Sequence, residues 1–225
     1  VEIRAIEGLE PIEDRYDLQI PGRFDGTNGA TDRGGPYYSS LGLTDVQLAN
    51  GSVMFLYDGP NGLSLVVVHG DEDGSDTGGS ATWSVMGLPQ DGDWVVKDDF
   101  YLDPETGEPA SSNYDRWETA GTDHTIDWTW ASNRTDGGAF RGLGDSFTIT
   151  IDPAYNEQAT LDERYYEGDV TDWRVLSGSL DTPETTSLAL DEPVTITSGD
   201  VSTAPFGVAT VNGQASGSEV TFTGR

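Results

Sequence analysis

Turn-forming residues break this chain so often that a helical fold is excluded before any other feature is weighed. Glycine occurs 29 times and proline 11 times in 225 residues. Few windows between them could hold three helical turns, because within a helix glycine costs about 1 kcal/mol and proline about 3 kcal/mol relative to alanine. Residues 162–166 offer a single turn and little else looks helical. The intervals that remain are short and rich in β-branched and aromatic residues: 52–57 (SVMFLY), 63–69 (LSLVVVH), 81–86, 94–102, 125–130, 147–151, 194–197, 207–211 and 220–223. Turn sequences part them, among them Asn50-Gly51, Asp58-Gly59-Pro60-Asn61-Gly62, Asp91-Gly92 and Asn212-Gly213. Short strands between Gly-rich turns predict an all-β fold, an antiparallel β-sandwich of jelly-roll type with very little helix.

The hydrophobic pattern orders these strands. Phe147-Thr148-Ile149-Thr150-Ile151 alternates as a half-buried strand does, whereas residues 63–68 are almost continuously apolar and suit a central strand covered on both faces. Residues 52–57 and 63–69 flank a five-residue turn and should pair as a hairpin in the core. The four glycines of residues 135–144 fit neither a strand nor a phosphate loop, and read as an irregular crossing with Arg141 left to pair with an acid. Residues 1–12 read as an extended segment with no hairpin partner nearby, and residues 13–181 as the main sandwich. Residues 182–225, rich in Thr, Ser and Gly, either close that sandwich or form a small appended β-module.

Charge sets the environment. Forty Asp and Glu against 11 Lys and Arg give a net charge of −29, and Lys97 is the lone lysine. Such a chain repels itself in dilute buffer, but in molar salt the screening length falls to about 3 Å and the penalty fades. With the sequons at Asn50-Gly51-Ser52 and Asn133-Arg134-Thr135, this composition resembles that of haloarchaeal secreted and cell-surface proteins, which implies an extracellular location. The other reading is an acidic calcium-binding exoprotein from an ordinary habitat. A surface of this sign repels phosphate, so nucleic acid is not expected as a partner. With no cysteine there are neither disulfides nor thiolate sites, and no apolar run reaches the ~18 residues of a membrane span. The first residue, Val1, suggests a processed start, and the opening VEIRAIEGLEPIEDR lacks the apolar helix of an archaeal pilin.

The candidate sites are few. Asp71, Asp73 and Asp76 stand around Gly74 with the spacing from which calcium loops are made, without matching an EF-hand, and calcium is the one cofactor expected. Against it stands a plain solvated acidic loop. Asn50-Gly51-Ser52 and Asn133-Arg134-Thr135 are glycosylation sequons. Trp128 and Trp130 share one face of a strand, which is either a sugar-stacking surface or, as the size of the rings favours, the core. Tyr37-Tyr38 and Tyr165-Tyr166 are better placed for an exposed contact. His69 and His124, the only histidines, show no zinc spacing. No GxSxG elbow is present and no carboxylate pair stands out, so no catalytic residue is assigned.

By elimination these features predict a non-enzymatic structural subunit of an extracellular filament, envelope or coat. It would self-associate by strand addition through Val1, Ile3 and Ala5, with cations bridging acidic faces. A secreted carbohydrate-binding or adhesin module, and a capsid or spike protein of a halophilic virus, are the competing expectations.

Overall fold

The computed structural model describes residues 2–16, 40–198, 208–211 and 219–223, apart from residues 73, 99, 101, 104, 112, 162 and 164–167. Its strands are β1 (Glu2–Ile3), β2 (Ile6–Glu7), β3 (Leu48–Gly59), β4 (Gly62–Gly70), β5 (Gly78–Met86), β6 (Asp93–Lys97), β7 (Arg116–Glu118) and β8 (His124–Ala131). They continue with β9 (Thr135–Arg141), β10 (Thr148–Tyr155), β11 (Asp172–Ser177), β12 (Glu184–Leu188), β13 (Val194–Ser198), β14 (Val208–Val211) and β15 (Glu219–Thr223). A five-residue helix, α1 (Ile12–Tyr16), and a 3-10 segment at Leu41–Val46 are the helical elements among the described residues.

The strands form two sheets and the fold is an all-β sandwich, mostly antiparallel. One sheet has eight strands in the order β1-β14-β15-β13-β10-β5-β8-β7. The other has seven, β12-β11-β3-β4-β9-β6 with β2 beside the end of β3. The main core lies between them, where Leu65 and Val67 of β4 meet Trp83, Ile126, Trp128, Ile149, Ile151 and Trp173. A second cluster covers the other face of the seven-stranded sheet. There Val66 and Val68 pack with Phe55, Ile6, Ile12, Tyr16 and Leu43. Strand β4 is therefore apolar on both faces because both faces are covered, as its continuous run requires. The β3–β4 hairpin forms where expected, but its loop is only Pro60-Asn61. Gly59 lies opposite Gly62, and from there the register runs unbroken to Ser52 opposite His69.

Three expectations are corrected. Residues 135–144 are not an irregular crossing: residues 135–141 form β9, paired with β4 on one side and β6 on the other. Its glycines permit close approach rather than a turn. A Cβ on Gly137, whose φ is +144°, would lie 2.2 Å from the Val67 carbonyl oxygen, and one on Gly138 would meet Trp117 at 2.9 Å. The strand expected over residues 94–102 ends at Lys97, where Asp98 turns inward and its amide donates to the Gly137 carbonyl.

The N-terminal segment is not an unpaired strand. Ile3 of β1 faces Ala209 of β14, and Ile6 of β2 faces Tyr57 of β3. Residues 2–7 thus tie the two sheets together. Residues 184–198 also belong to both sheets, since β12 pairs with β11 and β13 with β10, and Leu188, Val194 and Ile196 lie in the main core.

Candidate functional site

The acidic loop between β4 and β5 was the leading candidate, and Asp76 is its best-defined member. Asp76 is 2% exposed, and both carboxylate oxygens accept backbone amides, from Gly78 at 2.6 Å and from Asn50 at 2.7 Å. Burial raises its pKa against the pull of those amide bonds. Its carbonyl accepts from the Asn133 amide and the Ser132 hydroxyl, so one aspartate fixes the starts of β3 and β5 and the β8–β9 turn. Asp71 is half-buried and has contacts of its own, and Asp73 lies outside the described residues. Among the described residues no group of three or more His, Cys, Asp or Glu side chains is arranged to hold a metal ion.

The two sequons differ in the same region. Asn50 sits at the irregularity in β3 with φ +52°, and its side-chain oxygen accepts both the amide and the hydroxyl of Thr77, at 2.8 and 2.7 Å. Asn133 stands exposed in the β8–β9 turn with φ +58°, a conformation asparagine tolerates well. Of the proposed assembly residues, Ile3 is 1% exposed and belongs to the main core, Ala5 packs against that core, and Val1 lies outside the described residues.

Trp128 and Trp130 do share one face, and it is the core face. With Trp83 and Tyr155, behind which Trp173 packs, they build an aromatic nest around His69, whose ring stacks on Trp130 at 5.1 Å and lies 4.8 Å from Trp128. Trp83 meets the same imidazole edge-on at 5.5 Å. His69 Nδ1 is 2.6 Å from the Ser52 hydroxyl, across the β3–β4 ladder, while Nε2 has no hydrogen-bond partner. Burial among these rings lowers the imidazole pKa to about 3. Burial likewise holds the Tyr155 hydroxyl protonated. From the sequence Ser52 stood out only as the third residue of the Asn50 sequon, although the register of the hairpin places it opposite His69.

His124 is fixed differently. The Trp94 indole donates to its Nδ1 at 3.0 Å, and Nε2 faces the Gly121 carbonyl at 3.3 Å, which sets a neutral tautomer. Its pKa is lowered, chiefly by burial with help from the charge of Lys97, against the pull of the Gly121 hydrogen bond and of Asp123 and Asp93.

Sequence reasoning also missed a buried acidic cluster. Asp98, Asp115 and Asp136, each at most 2% exposed, come from three separate segments. Their charges, after burial itself, raise the pKa of Tyr16 well above its ordinary value. The Tyr16 hydroxyl donates to the carbonyls of Val67 and Asp136, at 3.3 and 3.4 Å. Asp115 accepts the Thr129 amide and Asp136 the Gly137 amide, and all three acids have further interactions. In a chain with 40 acids, nothing in the local sequence separates these three from the rest.

The chemistry open to these groups is narrow. Ser52 and His69 touch as a nucleophile and its base would. However, a buried imidazole with a pKa near 3 is a poor proton acceptor, and no carboxylate orients its other nitrogen. The pair acts as a polar link between β3 and β4 within an apolar core. Asp76, His124 and the Tyr16 cluster likewise hold backbone or neighbouring rings in place. No family model, no curated protein and no solved structure matches the chain.

Proposed function

We propose that this protein is a non-enzymatic structural subunit of an extracellular filament, envelope or coat in a salt-rich environment, assembling by addition of β-strands. The observation that carries this reading is the bare outer edge of the seven-stranded sheet at β12, which among the described residues pairs only with β11. An open edge offers a row of backbone donors and acceptors to another chain. The groups that could support catalysis are engaged inside the fold. The tryptophans that a sugar-binding reading could use are inside, with Trp83, Trp94, Trp128, Trp130 and Trp173 buried and Trp117 half-buried, while Tyr37, Tyr38, Tyr165 and Tyr166 lie outside the described residues. Strand addition is accordingly assigned to a sheet edge and not to the N-terminal strand, whose Ile3 is committed to its own core. Where acidic surfaces of neighbouring copies meet, molar salt or calcium would screen them.

Negative-stain electron microscopy with light scattering, in molar salt with calcium and then with chelator, tests the reading. Ordered filaments, sheets or shells are expected, and a monomer in every condition would overturn it.

A further inference from the structure

Among the described residues β12 is an edge strand that, though short and preceded by Pro183, lacks most of the usual defences. Natural edge strands avoid pairing through lysines, prolines, bulges or inward charges. Residues 184–188 read ETTSL, with no lysine and no proline inside the strand, and the register with β11 runs unbroken from Trp173 opposite Leu188 to Ser177 opposite Glu184. Three of its five residues are Thr or Ser, and threonine favours a pleated, half-exposed surface.

The edge is also electrically neutral in a chain of net charge −29. On β12 the one charge is Glu184, paired with Arg4 at 3.4 Å. On β11 the charges are Asp172 and Arg174, which pair with each other. Two acids and two bases therefore cancel along this strip.

We propose that β12 is the docking edge for β12 of a second copy of this chain, the two strands running antiparallel about a two-fold axis at Thr186 and joining two seven-stranded sheets into one. This rests on the structural-subunit reading above and names its first contact. The two-fold sets Thr186 against Thr186, Thr185 against Ser187 and Glu184 against Leu188. The two Glu184 side chains then stand four residues apart along the ladder, about 14 Å, which exceeds the screening length of ~8 Å at physiological ionic strength. An isologous contact of this kind closes at a dimer. Growth into a polymer uses a separate surface, so the two steps can be distinguished.

The absence of cysteine makes the test direct. Directly opposed residues in an antiparallel pair have Cα atoms about 4.5–5.5 Å apart, within disulfide reach. Thr186→Cys, oxidised in molar salt, is expected to give a covalent dimer as the main product. Thr148→Cys, exposed on the other sheet, should give only background. Neighbouring strand residues send their amides to opposite sides, so one of Thr186→Pro and Ser187→Pro removes an outward amide. That variant should be monomeric with a near-native melting temperature, and the other should be destabilised. A wild type that stays monomeric, a dimer that survives both prolines, or a dimer in which the residue 186 thiols do not cross-link would overturn the proposal. Polymers with uncross-linked thiols would remove the edge and leave the structural reading. A cross-linked dimer that never grows would do the reverse.

Discussion

Acidification should destabilise the protein through His69, by an amount its surroundings fix. In the unfolded chain the imidazole titrates at about 6.5, and in the folded protein burial among aromatic rings lowers this to about 3. Between those values the unfolded state binds a proton that the folded state refuses. The stabilisation is therefore complete above pH 6.5 and falls away as the pH drops towards 3. The loss is about 1.4 kcal/mol per pH unit below 6.5, or about 2 kcal/mol at pH 5, and reaches about 5 kcal/mol near pH 3. The groups packed on the ring (Ser52, Trp83, Trp128, Trp130 and Tyr155) are uncharged throughout this window, so burial alone drives the shift.

The control is the double variant Ser52→Ala, His69→Phe. It keeps an aromatic ring against Trp130 and removes both partners of the 2.6 Å hydrogen bond, so neither polar group is left orphaned. His124, with its lowered pKa, adds a smaller loss of the same sign, and Asp76, with its raised pKa, acts in the opposite sense. Both remain in the variant and cancel in the comparison. Urea unfolding followed by tryptophan fluorescence, in molar salt at pH 7 and pH 5, should show the wild type losing about 2 kcal/mol more than the variant. Losses equal to within about 0.5 kcal/mol would refute the premise that His69 is buried in its neutral form.

Other outcomes follow from single residues. Asp76→Ala orphans the amides of Asn50 and Gly78 and should cost about 2–4 kcal/mol by urea unfolding, equally in calcium and in chelator. A loss seen only with calcium would make Asp76 a cation ligand. Gly137→Ala drives a methyl against the Val67 carbonyl and the Tyr16 hydroxyl and should lower stability by about 3 kcal/mol or more, measured the same way. If the protein carries N-linked glycan, mass spectrometry of Asn133→Gln should show it lost. Asn50→Gln should leave the mass of the glycan unchanged but lower the melting temperature, because the Asn50 side chain holds Thr77. The net charge of −29 predicts a melting temperature that climbs as sodium chloride is raised from about 0.15 M towards 2 M. A flat profile would show that self-repulsion is not limiting.

What could be read from the sequence was local. The β3–β4 hairpin was legible because its apolar runs and turn residues lie within one stretch of chain. The core face of Trp128 and Trp130 followed from period-two spacing and ring size. Strand β9 was misread because glycine signals a break in sequence, whereas here it makes room for Trp117 and for the Val67 carbonyl, which come from elsewhere in the chain. The pairing of β1 escaped notice because Glu2 meets Thr210, at the far end of the chain. Strands β11 and β12 were missed for different reasons. The first is short and interrupted by Asp172 and Arg174, and the second carries almost no apolar signal. The Tyr16 cluster lay beyond reach altogether, since three carboxylates are chosen from forty only by the fold.

The same contrast bears on how so acidic a protein can stay folded and still associate as proposed above. Its buried titratable groups are largely held uncharged or tied to backbone: His69 and His124 by burial, Tyr16 by burial and then by the acids nearby, and Asp76 by two amides. Salt can therefore tune the exterior without disturbing the interior, because buried groups are screened far less than exposed ones. Association by ion pairs would weaken in molar salt, and association by a broad apolar face would need exposed side chains that this fold scarcely shows, with Leu9, Met86 and Tyr114 its exposed large apolar residues among those described. Backbone hydrogen bonding along a neutral edge avoids both difficulties. It works best where long-range repulsion between two polyanions has been screened away, and β12 is where such an edge lies.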